Sequence, residues 1–204
     1  MTRPRPGPYG LVVIAGSAGA IGPLREILSA LPADYPIPVV VVQHRSARPR
    51  DLLPELLARW CALPVRGVSA GERITPGAVY VARPDLHLVV NSDRTFGLKD
   101  GRRVKSLLSS ANPLLTTAAA VFGPVIGIVL SGSGSDATDG VQAVKAAGGT
   151  VVVQDEATAK HFDMPRAAIA SGAVDRVLPV ERIGPLLAEL GSRDRPTPYW
   201  KEPA

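Results

Sequence analysis

The 204-residue chain is 46% hydrophobic but only 4% aromatic, with 23 Lys and Arg against 18 Asp and Glu. This length fits one domain with an aliphatic core, and no apolar run reaches the roughly 18 residues a membrane span needs. The proline-rich start "MTRPRPGPYG" lacks the apolar stretch of a signal peptide, and a single cysteine, Cys61, excludes an internal disulfide framework, so the chain reads as cytoplasmic.

In chain order, apolar runs of strand length alternate with helical patterns. "LVVIA" (11–15) leads into a helix over 20–31, and "IPVVVVQ" (37–43) into a helix over 50–60. Residues 64–100 differ: short period-2 runs between turn signals predict small hairpins in or beside the sheet, with strands at Tyr80–Arg83 and His87–Val90. A loop is expected over 99–110 and a helix over 111–121. "PVIGIVL" (124–130) then precedes a helix over 139–148, and "TVVVQ" (150–154) one over 164–172. Solid apolar runs fit strands buried on both faces, and repeated strand–helix units imply a parallel sheet. The expected fold is α/β: doubly wound, mainly parallel, with helices on both faces and a small hairpin-rich insertion. Residues 9–191 would form one domain. Flexible arms are expected at 1–8 and 192–204, which are rich in proline and charge.

Basic residues gather in "HRSARPR" (44–50) and "KDGRRVK" (99–105). They read either as solvated surface or as a rim that attracts an acidic partner. Without interleaved aromatics or a nucleic-acid signature, they do not indicate nucleic acid.

Sites in open α/β sheets form at the carboxyl ends of strands. Ser17 follows the first apolar run, His44 the second, and Asp136 lies in "SGSGSD" after a later one. A hydroxyl, an imidazole and a carboxylate on neighbouring strand ends are the groups of a nucleophilic triad. Ser17 lies between Gly16 and Ala18-Gly19, in a sharp turn that opens a helix, so free amides converge on the same spot. Each residue also has a plain structural reading. Ser17 could be an N-cap or a spacer, His44 a structural histidine, and Asp136 a cap for the next helix. His87 reads as a satisfied structural histidine, His161 as a surface-loop residue, and Cys61 as a small buried hydrophobe. Three histidines and one cysteine show no metal-ligand spacing.

A second chemistry competes for the first loop. Gly16, Gly19 and Gly22 have the spacing of a dinucleotide turn, and Arg45 could hold the 2′-phosphate of NADP in an oxidoreductase. No Tyr-x-x-x-Lys pair follows, and that reading leaves Asp136 unexplained. A non-catalytic binding module is a third possibility, against which the intact trio argues.

The blocks "VIAGSAGA", "VVVVQHR", "AGERITPGAVYVARPDLHL", "GIVLSGSGSDATDG" and "VVVQDEATAKHFDMPRAAIASGAVDRVL" follow one another from about residue 9 to about 190. Together they resemble the catalytic domain of the chemotaxis protein-glutamate methylesterases, the CheB family. The resemblance implies a doubly wound α/β fold and hydrolysis of glutamate methyl esters on the cytoplasmic helices of chemoreceptors, or on another methylated protein. It also implies deamidation of selected glutamines in some members, no cofactor, and no membrane insertion. It puts the nucleophile on Ser17, its base on His44 and the orienting carboxylate on Asp136, with backbone amides of Ser133 and Ala18 as oxyanion donors. The chain departs from the family at Ser17-Ala18-Gly19-Ala20, where one glycine is lost. It also has Ser133 where a methionine is usual, and "LLSSANP" (107–113) where an arginine-proline-serine stretch is usual. No receiver domain precedes the catalytic blocks, so control by phosphorylation in cis is not expected.

Overall fold

Valine-rich runs become strands because β-branched side chains pack well on a pleated surface covered on both sides. The computed structural model describes residues 9–46, 50–100 and 110–192. The elements run β1 (Val12–Gly16), α1 (Ile21–Ser29), β2 (Val39–Gln43), α2 (Leu53–Ala58), β3 (Val65–Gly67), β4 (Val79–Val81), β5 (Leu86–Val90) and β6 (Phe96–Asp100). They continue with α3 (Ala111–Phe122), β7 (Ile126–Val129), α4 (Thr138–Ala146), β8 (Thr150–Gln154), α5 (Asp163–Ala170), β9 (Arg176–Leu178) and α6 (Val180–Ser192). The arms expected at 1–8 and 192–204 lie outside the described residues, except for Ser192, which ends α6.

Seven strands form one parallel sheet in the order β3-β4-β2-β1-β7-β8-β9. The order reverses at β1. Its partner on one side is β2, with Ile14 opposite Val41, and on the other β7, with Ile14 opposite Ile128. Crevices open at such a reversal because the connecting helices leave on opposite faces. Alternation along each strand feeds two cores. Val12 and Ile14 pack with α1, α2 and α6 residues such as Leu24, Leu57 and Leu187. Leu11, Val13 and Ala15 face the other core with Leu114, Leu115 and Val141 of α3 and α4.

The middle of the chain differs in part from the hairpins expected. β3 and β4 do not pair with each other as a hairpin. They are parallel strands that extend the main sheet, Val65 opposite Val79. One antiparallel hairpin is present, β5–β6, with His87 opposite Lys99. Lys99 and Asp100, expected in a loop, end its second strand, and 101–109 lie outside the described residues. β9 and α6 fall where the sequence reading expects no element, and β3 and β6 lie in the expected hairpin region without a strand assigned to them. α6 contains Gly184 and Pro185, which read as breakers. Gly184 is needed because a Cβ there would stand 2.6 Å from Ala30 Cβ, where α6 crosses the end of α1.

Candidate active site

Strand ends β2, β1 and β7 are neighbours, so the turns carrying His44, Ser17 and the 131–136 loop lie side by side at the topological reversal. The Ser17 turn is clamped through its backbone. Ser17 N–H donates to Ser131 O at 3.0 Å, and Ser17 O accepts from Ala20 N–H at 3.1 Å and from the Gln43 amide at 2.7 Å. Ser131 Oγ donates to Ala18 O at 2.8 Å. The Ser17 side chain, half-buried, has no hydrogen-bond partner among the described residues. It does not cap α1, whose N-cap position is Ala20 without a side-chain bond.

Gly132 sits directly against this turn. A Cβ added there would overlap the Met164 thioether and stand 2.8 Å from Ser17 Cβ. Its N–H donates to His161 O and its carbonyl accepts from Met164 N–H, both at 2.9 Å. At Gly19, φ is +82°, and a Cβ would stand 2.7 Å from Ser131 Oγ and 2.8 Å from Lys160 Cβ. His161 lies in the loop before α5, half-buried, and its N–H donates to Ser131 Oγ at 3.0 Å.

Asp136 has the opposite character, because its side chain is committed. The carboxylate is buried and accepts from Ser110 Oγ at 2.5 Å and from Ala111 N–H at 2.6 Å, at the start of α3. It does not cap α4; that position is Ala137, held in the left-handed region at φ 76° without a side-chain bond. His44 Nε2 stands 2.8 Å from Asp136 Oδ2. The angle of this close contact departs from that of a linear N–H···O bond. Nδ1 of His44 makes no hydrogen bond among the described residues. Burial pushes the Asp136 carboxyl up, but His44, the Ala111 N–H, the Ser110 hydroxyl and the His44 charge outweigh it and hold it at about 2.

The structure thus brings His44 and Asp136 into contact and sets Ser17 on the adjacent strand end, without a hydrogen bond between the Ser17 hydroxyl and the imidazole. Among the backbone amides, Ser17 N–H and Gly132 N–H are committed, whereas those of Ala18 and Ser133 have no acceptor among the described residues. His87 is buried, and its Nδ1 accepts from Ser110 N–H at 3.0 Å. It supports the residue that holds Asp136, while its Nε2 has no partner among the described residues.

The dinucleotide alternative does not fit this geometry. Arg45 forks onto Asp51 and donates to Gln43 O at 2.8 Å and Ala82 O at 2.9 Å, so its guanidinium is held by the protein's own acceptors. A Cβ on Gly19 would meet Ser131, Lys160 and His161, so that side of the turn is packed by the protein's own residues.

Several supporting residues escaped the sequence reading. Gln43 and Gln154 end the valine runs of β2 and β8; Gln154 Oε1 accepts from Ser131 N–H at 2.9 Å, as the Gln43 amide holds Ser17 O. Their signal was a polar amide closing a run of valines, twice. Ser110 had no signal beyond its place before a helix.

Comparison with known proteins gives a consistent picture. The family described as CheB methylesterase matches residues 12–187. A relative from Leptospira interrogans, provisionally named a protein-glutamate methylesterase/protein-glutamine glutaminase, is 39% identical over 89% of this chain and 95% of its own. Protein-glutamate methylesterase FrzG of Myxococcus xanthus is 36% identical over 90% of this chain but 55% of its own, so the chain spans about half of that relative. The crystal structure of the Thermotoga maritima CheB methylesterase catalytic domain superposes with a TM-score of 0.82 at 34% identity. That match covers 89% of this chain and 98% of the other. No helix among the described residues is long and apolar enough to cross a membrane.

Proposed function

The chain belongs to the CheB methylesterase family, and we propose that it hydrolyses glutamate γ-methyl esters on a helical, chemoreceptor-like protein in the cytoplasm through Ser17, His44 and Asp136. It is a carboxylic ester hydrolase. The observation that carries the site assignment is the His44–Asp136 contact at 2.8 Å beside a serine whose hydroxyl is uncommitted.

In this reading Ser17 Oγ attacks the ester carbonyl while His44 takes the hydroxyl proton. With Nε2 turned to Asp136, the nitrogen that faces the reaction is Nδ1. Asp136 stays ionised, fixes the tautomer and stabilises the imidazolium. The oxyanion falls to the Ala18 and Ser133 amides, and each such donor is worth about 3–4 kcal/mol in comparable sites. His44 returns its proton to the leaving methoxide, methanol departs, and Ser17 holds the glutamyl group as an ester. A water molecule, deprotonated by His44, then attacks that ester and frees the glutamate and Ser17. A glutamine substrate follows the same path with ammonia as the leaving group. No step draws on a cofactor.

The test is methanol release from a methyl-esterified receptor fragment. Wild type should release it, and Ser17→Ala should be at least about a thousandfold slower. Equal rates would reject Ser17 as the nucleophile.

A further inference from the structure

His87 stands near the start of β5, in the small hairpin, and at 2% exposure it is out of reach of any substrate. Its side chain makes one hydrogen bond among the described residues, at Nδ1, which accepts the Ser110 N–H at 3.0 Å. A ring nitrogen that accepts a backbone N–H carries no proton, so the proton of the imidazole sits on Nε2.

Through Ser110 this bond reaches the site. Ser110 Oγ donates to Asp136 Oδ1 at 2.5 Å and accepts from Asn112 N–H at 3.3 Å. The next amide, Ala111 N–H, donates to Asp136 Oδ2 at 2.6 Å, and His44 Nε2 approaches that same oxygen at 2.8 Å. Where α3 begins therefore sets where the carboxylate stands against the imidazole of His44. The hairpin is tied to α3 at a second point, where Val90 N–H donates to Thr117 Oγ1 at 2.9 Å. From His87 to Val90 along the strand, and from Ser110 to Thr117 along the helix, the chain advances about 10 Å, so the two bonds lie in step. Apolar packing already holds the hairpin here, since Leu88, Val90 and Phe96 share one core with Leu114, Leu115 and Ala118. A buried imidazole costs desolvation that an apolar side chain would not. What it adds to the packing is one acceptor for a backbone N–H at the helix start.

We propose that His87 is a positioning residue of the hydrolase site: it fixes the start of α3 and, through Ser110 and Ala111, seats the Asp136 carboxylate against His44. The inference rests on the hydrolase reading above and deepens it, since it makes the small hairpin a support of the triad. His87 exchanges no proton with the substrate, and its effect on the rate passes through Asp136. A supporting group displaced by about 1 Å can cost about a hundredfold in rate.

The test places three side chains at this position. His87→Asn carries an acceptor as many bonds from the backbone as Nδ1, His87→Gln carries it one bond further out, and His87→Leu carries none. Methanol release from the methyl-esterified receptor fragment gives kcat and KM, and NMR reads hydrogen exchange of the Ser110 and Ala111 amides. His87→Leu and His87→Gln should lower kcat about tenfold with KM within about twofold of wild type, and His87→Asn should recover all but about threefold. In an Asp136→Asn background His87→Leu should cost nothing further, because residues that act through one another are not additive. Exchange at Ala111 should quicken with His87→Leu and His87→Gln but not with His87→Asn. Should His87→Leu fail to fold, the pair His87→Asn and His87→Gln decides alone. Equal kcat in wild type and His87→Gln would overturn the proposal. So would equal losses with His87→Asn and His87→Gln, or a full further loss in the Asp136→Asn background. No methanol release by wild type, with Ala111 exchange still quickened by His87→Gln, would reject the hydrolase reading and keep His87 as the support of Asp136. No release together with unchanged exchange would overturn both.

Discussion

The two glycine-rich turns at the sheet reversal divide their duties in opposite ways. At the Ser17 turn the backbone is fixed by Ser131, Ala20 and Gln43, and the side chain has no hydrogen-bond partner among the described residues. In the loop that ends at Asp136, the side chain is fixed by Ser110, Ala111 and His44, and the next residue takes a left-handed conformation. A group that must form and break a covalent bond has to be positioned without being engaged. A group that must stay charged in a buried place needs every lone pair met. The same composition, glycine and serine after a valine strand, serves both ends.

Substitutions can break this contrast, and the largest effect is expected at the carboxylate. Asp136→Asn should lower methanol release about ten-thousandfold, because the imidazole loses its tautomer and its counter-charge. It should also cost about 1–3 kcal/mol, since Ser110 and Ala111 lose a charged acceptor. Ser17→Ala should match it in lost activity yet leave thermal unfolding within about 0.5 kcal/mol of wild type. A melting scan beside the rate assay separates the two, and equal destabilisation would show that the Ser17 hydroxyl is engaged after all. Acid titration sharpens the same point. With its folded pKa held near 2, below the unfolded carboxylate value, Asp136 contributes stability that is complete above about pH 4 and fades as pH falls toward 2. Asp136→Asn should lack that part of the acid transition.

Gly132→Ala comes next. The added methyl meets Met164 and Ser17 Cβ, so unfolding should be easier by about 1–3 kcal/mol and activity should fall with it. The smallest effect is at Ala137, where φ is 76°. Ala137→Gly removes left-handed strain and, after the entropy of glycine, should stabilise the protein by about 0.5 kcal/mol in a denaturant titration.

The sheet was legible where strands are solid runs. "TVVVQ" is β8 residue for residue, "IPVVVVQ" contains β2, and "LVVIA" covers β1 except for its last residue, Gly16. The three-residue strands β3, β4 and β9 were not read as members of the parallel sheet. A strand so short shows no periodicity of its own and is held by its neighbour, as Val65 is by Val79. α6 was hidden by Gly184 and Pro185, which local propensity marks as breaks but close packing on α1 requires or tolerates. The strand-end positions of Ser17, His44 and Asp136 were readable because topology alone places strand ends together. The braces were not, since Gln43, Gln154 and Ser110 act through single hydrogen bonds between segments far apart in sequence.

Labelling with a fluorophosphonate followed by peptide mapping tests the central claim most directly. The account predicts one adduct, on Ser17, formed by wild type and lost in His44→Ala. An adduct on Ser131 or Ser133, or undiminished labelling of Ser17 without His44, would contradict it.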